Sequence, residues 1–142
     1  MEKKVILISK KSEEASQIDA ILSKNNYRLH LIGNVDNLNK ELINFHCNCV
    51  IFNLDSICVD NRTIRELTIQ YPKIYFLCMS RDRFHPELKD AICYHIFACL
   101  TKPLDYDELL YWLRCIDDNE SDSKPVQINS DSKPVKINNE ES

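Results

Sequence analysis

Few side chains in this sequence could do chemistry, and their spacing excludes several reaction types. The four histidines, His30, His46, His85 and His95, are scattered with no i, i+4 pair, so neither a helical metal site nor a histidine phosphorelay site is expected. Seven cysteines stand at 47, 49, 58, 78, 93, 99 and 115. Cys47 and Cys49 are closer than the two-residue gap of common zinc sites, and no second regular pair completes a ligand set. Most of the cysteines lie in apolar stretches, where a reduced thiol behaves as a small hydrophobe. Reduced thiols in a cytoplasmic protein are therefore expected, with no metal. Gly33 is the one glycine. Loops that cradle nucleotide phosphates need small residues so that backbone amides can approach the anion, so nucleotide-dependent catalysis is not expected. Isolated serines, aspartates and lysines remain, and they gain meaning only if the fold gathers them.

Apolar runs alternate with helical stripes along the chain. Val5-Ile6-Leu7-Ile8 is a continuous apolar run of the kind that forms a strand covered on both faces. Ser12 is placed to cap a helix with Glu13 and Glu14 in its first turn and Ala15, Ile18, Ile21 and Leu22 on one face. Asn25-Asn26 ends it, and 27–32 reads as a second strand. Asp36 is placed to cap a short helix carrying Leu38, Leu42 and Ile43. A third strand follows at 49–54, then a helix with Ile64, Leu67 and Tyr71 that stops near Pro72. A fourth strand spans 74–79 and ends on Ser80. Pro86 suits the first turn of a helix bearing Leu88, Ala91 and Ile92. A fifth strand covers 97–100, and the last helix places Leu109, Trp112, Leu113 and Ile116 at i, i+3, i+4 and i+7.

Five strand-then-helix units imply an α/β fold of flavodoxin-like (βα)5 type, with helices on both faces of a parallel sheet and right-handed crossovers. The expected strand order is 2-1-3-4-5. In such sheets the functional crevice lies at the carboxyl ends of the strands. That rule gathers Ser9 and Lys10, the stretch from Asn53 to Asp55, Ser80, and Lys102 with Pro103.

The formal charge of −4 resides in the last part of the chain, where seven acidic residues between 117 and 142 face Lys124, Lys133 and Lys136. The segment before it is neutral by count, with no basic excess for a phosphate backbone, so direct nucleic-acid binding is not expected. Four apolar residues near the start are far too few for a secretory or membrane-spanning segment. Residues 121–129 are repeated at 130–138 with a single difference, Gln127 against Lys136. So polar a unit buries no core. The expected organisation is a domain over 1–117 and a disordered acidic tail over 118–142. The repeat is either a duplication in a tolerant linker or a partner-binding motif presented twice, which would raise avidity.

Two segments carry a resemblance. Tyr71-Pro72-Lys73-Ile74 leading into an apolar strand that ends on Ser80, and Leu100-Thr101-Lys102-Pro103 followed by Leu104 and Asp107-Glu108-Leu109, resemble the receiver domain of two-component response regulators over about residues 3–117. The resemblance implies aspartyl phosphorylation, in which two acids after the first strand and an acceptor aspartate hold magnesium, while a lysine and a hydroxyl bind the phosphoryl oxygens. It places Ser9 and Lys10 at the acid pair, Asn53 at the acceptor, Ser80 at the hydroxyl and Cys99 at the aromatic switch residue three positions before Lys102. It also implies a cis bond before Pro103. An amide is no phosphoryl acceptor, and Lys10 would bring positive charge to the magnesium site.

The expectation is thus a degenerate pseudo-receiver: a non-enzymatic signalling module with no magnesium site. It would act through a protein partner or a homodimer on the face of the fourth helix, fifth strand and fifth helix, where Tyr111 is either an ordinary surface residue or a contact. The alternative is a working phosphoacceptor using Asp55, although pairing of Asp55 with Lys102 or Lys10 is the expected arrangement. A third class is a thiol protein regulated by metal or by a reversible disulfide.

Overall fold

The computed structural model describes residues 3–81 and 96–122. The helix expected around Pro86 and the repeated tail lie outside the described residues. Five parallel strands, β1 (Lys3–Ile8), β2 (Tyr27–Ile32), β3 (Cys49–Asn53), β4 (Tyr75–Ser80) and β5 (Ala98–Thr101), form one sheet in the order β2-β1-β3-β4-β5. This is the expected order. All five residues of β3 are buried, as its central place in the sheet requires.

The alternation of side chains along the strands feeds two cores. On one face, Val5, Leu7, Cys49, Ile51, Leu77 and Met79 pack against helix α1 (Ser12–Ser23) and the C-terminal helix (Tyr106–Asp122) through Ala15, Ile18, Leu22, Leu109, Leu113 and Ile116. On the other, Ile6, Ile8, Val50, Phe52, Phe76 and Cys78 meet α2 (Leu38–Asn44) and α3 (Asn61–Gln70) through Leu38, Ile64 and Leu67. Full burial of each large apolar side chain contributes about 1.5–3 kcal/mol.

The helix starts differ from the sequence reading in instructive ways. Ser12 is the first residue of α1, not its cap; Lys11 occupies the cap position and makes no side-chain cap bond. The Lys11 N–H instead donates to Ser9 Oγ at 3.0 Å, so a serine on the strand end organises the turn. Asp36 does not cap the second helix. A short 3-10 turn, Val35–Asn37, precedes it and is capped by Asn34, whose side chain accepts from Asn37 N–H at 3.1 Å. Asp60 caps α3 by accepting from Thr63 N–H at 2.8 Å. Asn26, beyond α1, takes φ 67°, a left-handed conformation that asparagine tolerates. The C-terminal helix continues to Asp122, past the boundary expected at residue 117; no proline or glycine interrupts the chain between Pro103 and Pro125.

The edge strand β2 is tied to the C-terminal helix by the buried Tyr27, whose hydroxyl donates to Asp117 Oδ2 at 2.6 Å. Tyr27→Phe keeps the ring in the core and removes only this bond to a carboxylate. Urea denaturation should report a loss of about 1.5 kcal/mol, the lower range for a charge-assisted bond because Asp117 stays in reach of water.

Candidate functional site

The buried polar residues among those described are Ser9, Asn53 and Ser80. Each stands at or just beyond the carboxyl end of a strand, β1, β3 and β4, so one end of the sheet gathers the polar groups that the rest of the core excludes. Parallel register brings Asn53 beside Met79, and the Lys102 N–H donates to the Ser80 carbonyl at 2.9 Å. The Lys102-Pro103 bond is cis, as the resemblance implied.

Asn53, 0 % exposed, is the hub. Its Nδ2 donates to Ser9 Oγ at 2.9 Å and to Glu14 Oε1 at 2.8 Å. Its Oδ1 accepts from Lys102 Nζ at 2.8 Å and from the Asp55 N–H at 3.3 Å. Both faces of the amide are used, which fixes its orientation. Ser9 Oγ accepts from Asn53 and from Lys11 N–H, which leaves its hydrogen for Ser56 Oγ at 3.2 Å. Ser56 Oγ also accepts from Lys10 N–H at 3.0 Å.

Lys102 Nζ is encircled. It lies 3.0 Å from Glu14 Oε1, 3.0 Å from Asp55 Oδ2 and 2.8 Å from Asn53 Oδ1, one partner for each ammonium hydrogen. The lysine side chain is 8 % exposed, against 29 % for Glu14 and 17 % for Asp55. Asp55 also accepts from Arg81 N–H at 3.1 Å. Burial opposes ionisation of Asp55, but the hydrogen bond and charge of Lys102, together with the Arg81 amide, outweigh it and hold the carboxyl below its ordinary value.

The structure therefore brings together Ser9, Asn53, Asp55, Ser80 and Lys102. Lys10 is not part of the cluster: it is exposed, and it meets the site only through its backbone N–H, which donates to Ser56 Oγ at 3.0 Å. Pairing of Asp55 falls on Lys102, not Lys10. The pocket is also not stripped of anions, because Glu14 enters it from the first turn of α1. From the sequence alone, Glu14 is expected only to favour the helix dipole. Its signal was present: Glu14 precedes Ala15 and Ile18, the buried stripe of α1, so it borders the face that looks onto the sheet.

Cys99 lies in register with Cys78. Phe97, the aromatic residue nearby, packs on the opposite core, edge-on to Tyr75 at 5.0 Å and to Trp112 at 5.6 Å, so it does not take the place of Cys99.

No family model and no curated protein matches this sequence. Solved structures do match its fold. The signal receiver domain of an HD domain-containing protein from Pseudomonas fluorescens is 21 % identical with a TM-score of 0.74, covering 87 % of this chain and 100 % of that one. A CheY-like response regulator receiver domain from Methanospirillum hungatei is 12 % identical with a TM-score of 0.73 and the same coverages. The receiver domain of a sensor histidine kinase from Pseudomonas aeruginosa, solved with magnesium coordinated in its active site cleft, is 16 % identical with a TM-score of 0.69, covering 82 % of this chain and 99 % of that one. The fold is thus the receiver fold of CheY-like proteins.

The oxygens that could serve as metal ligands, from Glu14, Asp55 and Asn53, all converge on the Lys102 ammonium. No group of three or more histidine, cysteine or acidic side chains suited to a metal occurs among the described residues. No helix among them is long and apolar enough to cross a membrane.

Proposed function

We propose that this chain is a pseudo-receiver, a phosphorylation-independent signalling module that works through protein contact and catalyses nothing itself. The observation that carries the reading is the encircled Lys102. In phosphotransfer this lysine would neutralise an incoming phosphoryl oxygen; here its three hydrogens go to Glu14, Asp55 and a neutral Asn53. The pocket supplies its own anions and holds one arrangement of the strand ends. A fixed arrangement suits a module whose surface is read by a partner in a single state.

The same reading assigns the partner or homodimer to the face that includes β5 and the C-terminal helix, where Tyr111 is 58 % exposed and stands edge-on to Trp112 at 5.1 Å. Aromatic residues with one apolar face and one polar tip are favoured at such contacts. A cytoplasmic setting suits the free thiols, and the neutral charge of the segment before the tail agrees with neither nucleic acid nor membrane as direct partner.

Incubation with a small acyl phosphate and magnesium, followed by intact-mass measurement, tests the reading. The expected result is no phosphoryl adduct on the wild-type chain. An adduct mapped to Asp55 would establish the alternative, a receiver with an atypical acceptor.

A further inference from the structure

Among the described residues, two thiols meet. Cys78 and Cys99 are register partners on the adjacent parallel strands β4 and β5, and both face the core that contains Phe52 and Phe76. Their sulfurs are joined by a hydrogen bond. Partners on neighbouring strands stand about 4.8 Å apart at Cα, inside the range of roughly 4.4–6.8 Å that a disulfide spans. Among the described residues β5 is the edge strand of the sheet, with β4 as its partner. Cys78 is buried and Cys99 partly exposed, so a small solute reaches Cys99 first.

We propose that Cys78 and Cys99 form a dithiol that hydrogen peroxide oxidises to a reversible disulfide, tying β4 to β5 beside the polar pocket. The Cys99 thiolate attacks one peroxide oxygen; an S–O bond forms, the O–O bond breaks, and the departing hydroxide takes a proton to become water. Cys78 then attacks the Cys99 sulfenic sulfur. An S–S bond forms, the S–O bond breaks, and the hydroxyl leaves as water with the Cys78 proton. Two thiols thereby give two electrons to one peroxide, and a dithiol reductant reverses the change.

Cys47 and Cys49 are less suited to this chemistry. Burial pushes the Cys47 thiol up to about 11 and raises Cys49 well above its ordinary value, which makes both poor nucleophiles. In the pair, the hydrogen bond from Cys78 lowers Cys99, against the opposing effects of burial and Glu108, while the same bond and burial raise Cys78. The partial exposure of Cys99 and the burial of Cys78 assign Cys99 as the attacking sulfur and Cys78 as the resolving one. The bridge would lie two residues before Ser80 and three before Lys102, so oxidation would act on the strand ends that hold the pocket. It forms whether or not the pocket accepts phosphate, so its failure leaves the proposed function untouched.

The full chain, reduced and then treated with hydrogen peroxide, tests this by intact mass and by tandem mass mapping of alkylated digests. The expected result is the loss of two hydrogens, disappearance of both sites from alkylation, a peptide bridged between Cys78 and Cys99, and recovery with dithiothreitol. In Cys78→Ser, dimedone should trap Cys99 as its sulfenic acid; in Cys99→Ser, no bridge to Cys78 should form. If native wild-type protein oxidises elsewhere while Cys78 and Cys99 remain alkylatable, or if either bridges to another cysteine, the proposal is overturned. The wild-type map decides the matter even if a serine variant folds poorly.

Discussion

Lys102→Met is expected to lower the unfolding free energy by about 3 kcal/mol, the cost of removing one partner from a buried charge cluster. Methionine preserves much of the length and apolar stem, so the loss reflects the ammonium group and not a cavity. Glu14 and Asp55 would then face each other without a cation, and the fully buried Asn53 Oδ1 would lose its bond at 2.8 Å. Water reaches both carboxylates to some extent, which keeps the expected cost at the lower end of the range for buried pairs. Urea unfolding should show a shifted midpoint with an unchanged slope. A second substitution, Glu14→Gln or Asp55→Asn, should recover part of the loss in the Lys102→Met background, because each removes one of the uncompensated charges.

The pH dependence gives an independent check. The folded-state pKa of Asp55 is lowered, mainly by Lys102 acting against burial. Between that lowered value and the unfolded value of about 3.9, the unfolded chain binds more protons than the folded one, so stability rises with pH. The contribution of Asp55 is present above the unfolded pKa and is lost as pH falls through the folded one. In Lys102→Met that acid-side slope should flatten. An unchanged slope would mean that the ion pair with Asp55 does not set the folded-state pKa.

The elements legible in the sequence were those whose signals are local and periodic. The run Val5-Ile6-Leu7-Ile8 and the i, i+3, i+4, i+7 stripe from Leu109 to Ile116 became β1 and the C-terminal helix because burial on two faces or one face leaves different periodicities. The strand-end rule likewise gathered Ser9, Asn53, Ser80 and Lys102. Helix caps were less legible. Ser12 and Asp36 are acceptable capping residues, but Ser9 Oγ and the Asn34 side chain hold the turns before them, and sequence alone does not rank such neighbours. Glu14 was missed for a different reason. Its value depends on Asn53 and Lys102, which lie 39 and 88 residues away, and only the register of the sheet brings the three together.

That long-range pairing gives the second large effect. Asn53→Asp would restore a carboxyl where the resembled family has its acceptor, yet it should destabilise this protein by about 2 kcal/mol. In the wild-type chain Nδ2 donates toward Glu14 Oε1 at 2.8 Å and Ser9 Oγ at 2.9 Å. A carboxylate oxygen there would face another carboxylate, with no hydrogen between them, and Lys102 cannot neutralise three anions. One carboxyl of the new pair must take up a proton, which the folded state then holds more tightly than the unfolded state. The deficit should therefore grow as pH rises from about 5 to about 8, the reverse of the Asp55 dependence. Glu14→Gln removes the opposing charge and can donate a hydrogen, so the double variant should recover about 1–2 kcal/mol, measured as the coupling in a double-mutant cycle. Asn53→Asp alone should also remain unmodified by acyl phosphate and magnesium, because the resemblance puts Ser9 and Lys10, not acids, at the acid pair and Lys102 is still held by Glu14 and Asp55. If the variant were instead as stable as wild type and took up a phosphoryl group, the pocket would be one substitution from phosphotransfer, and Glu14 would not be the partner that requires an amide at position 53.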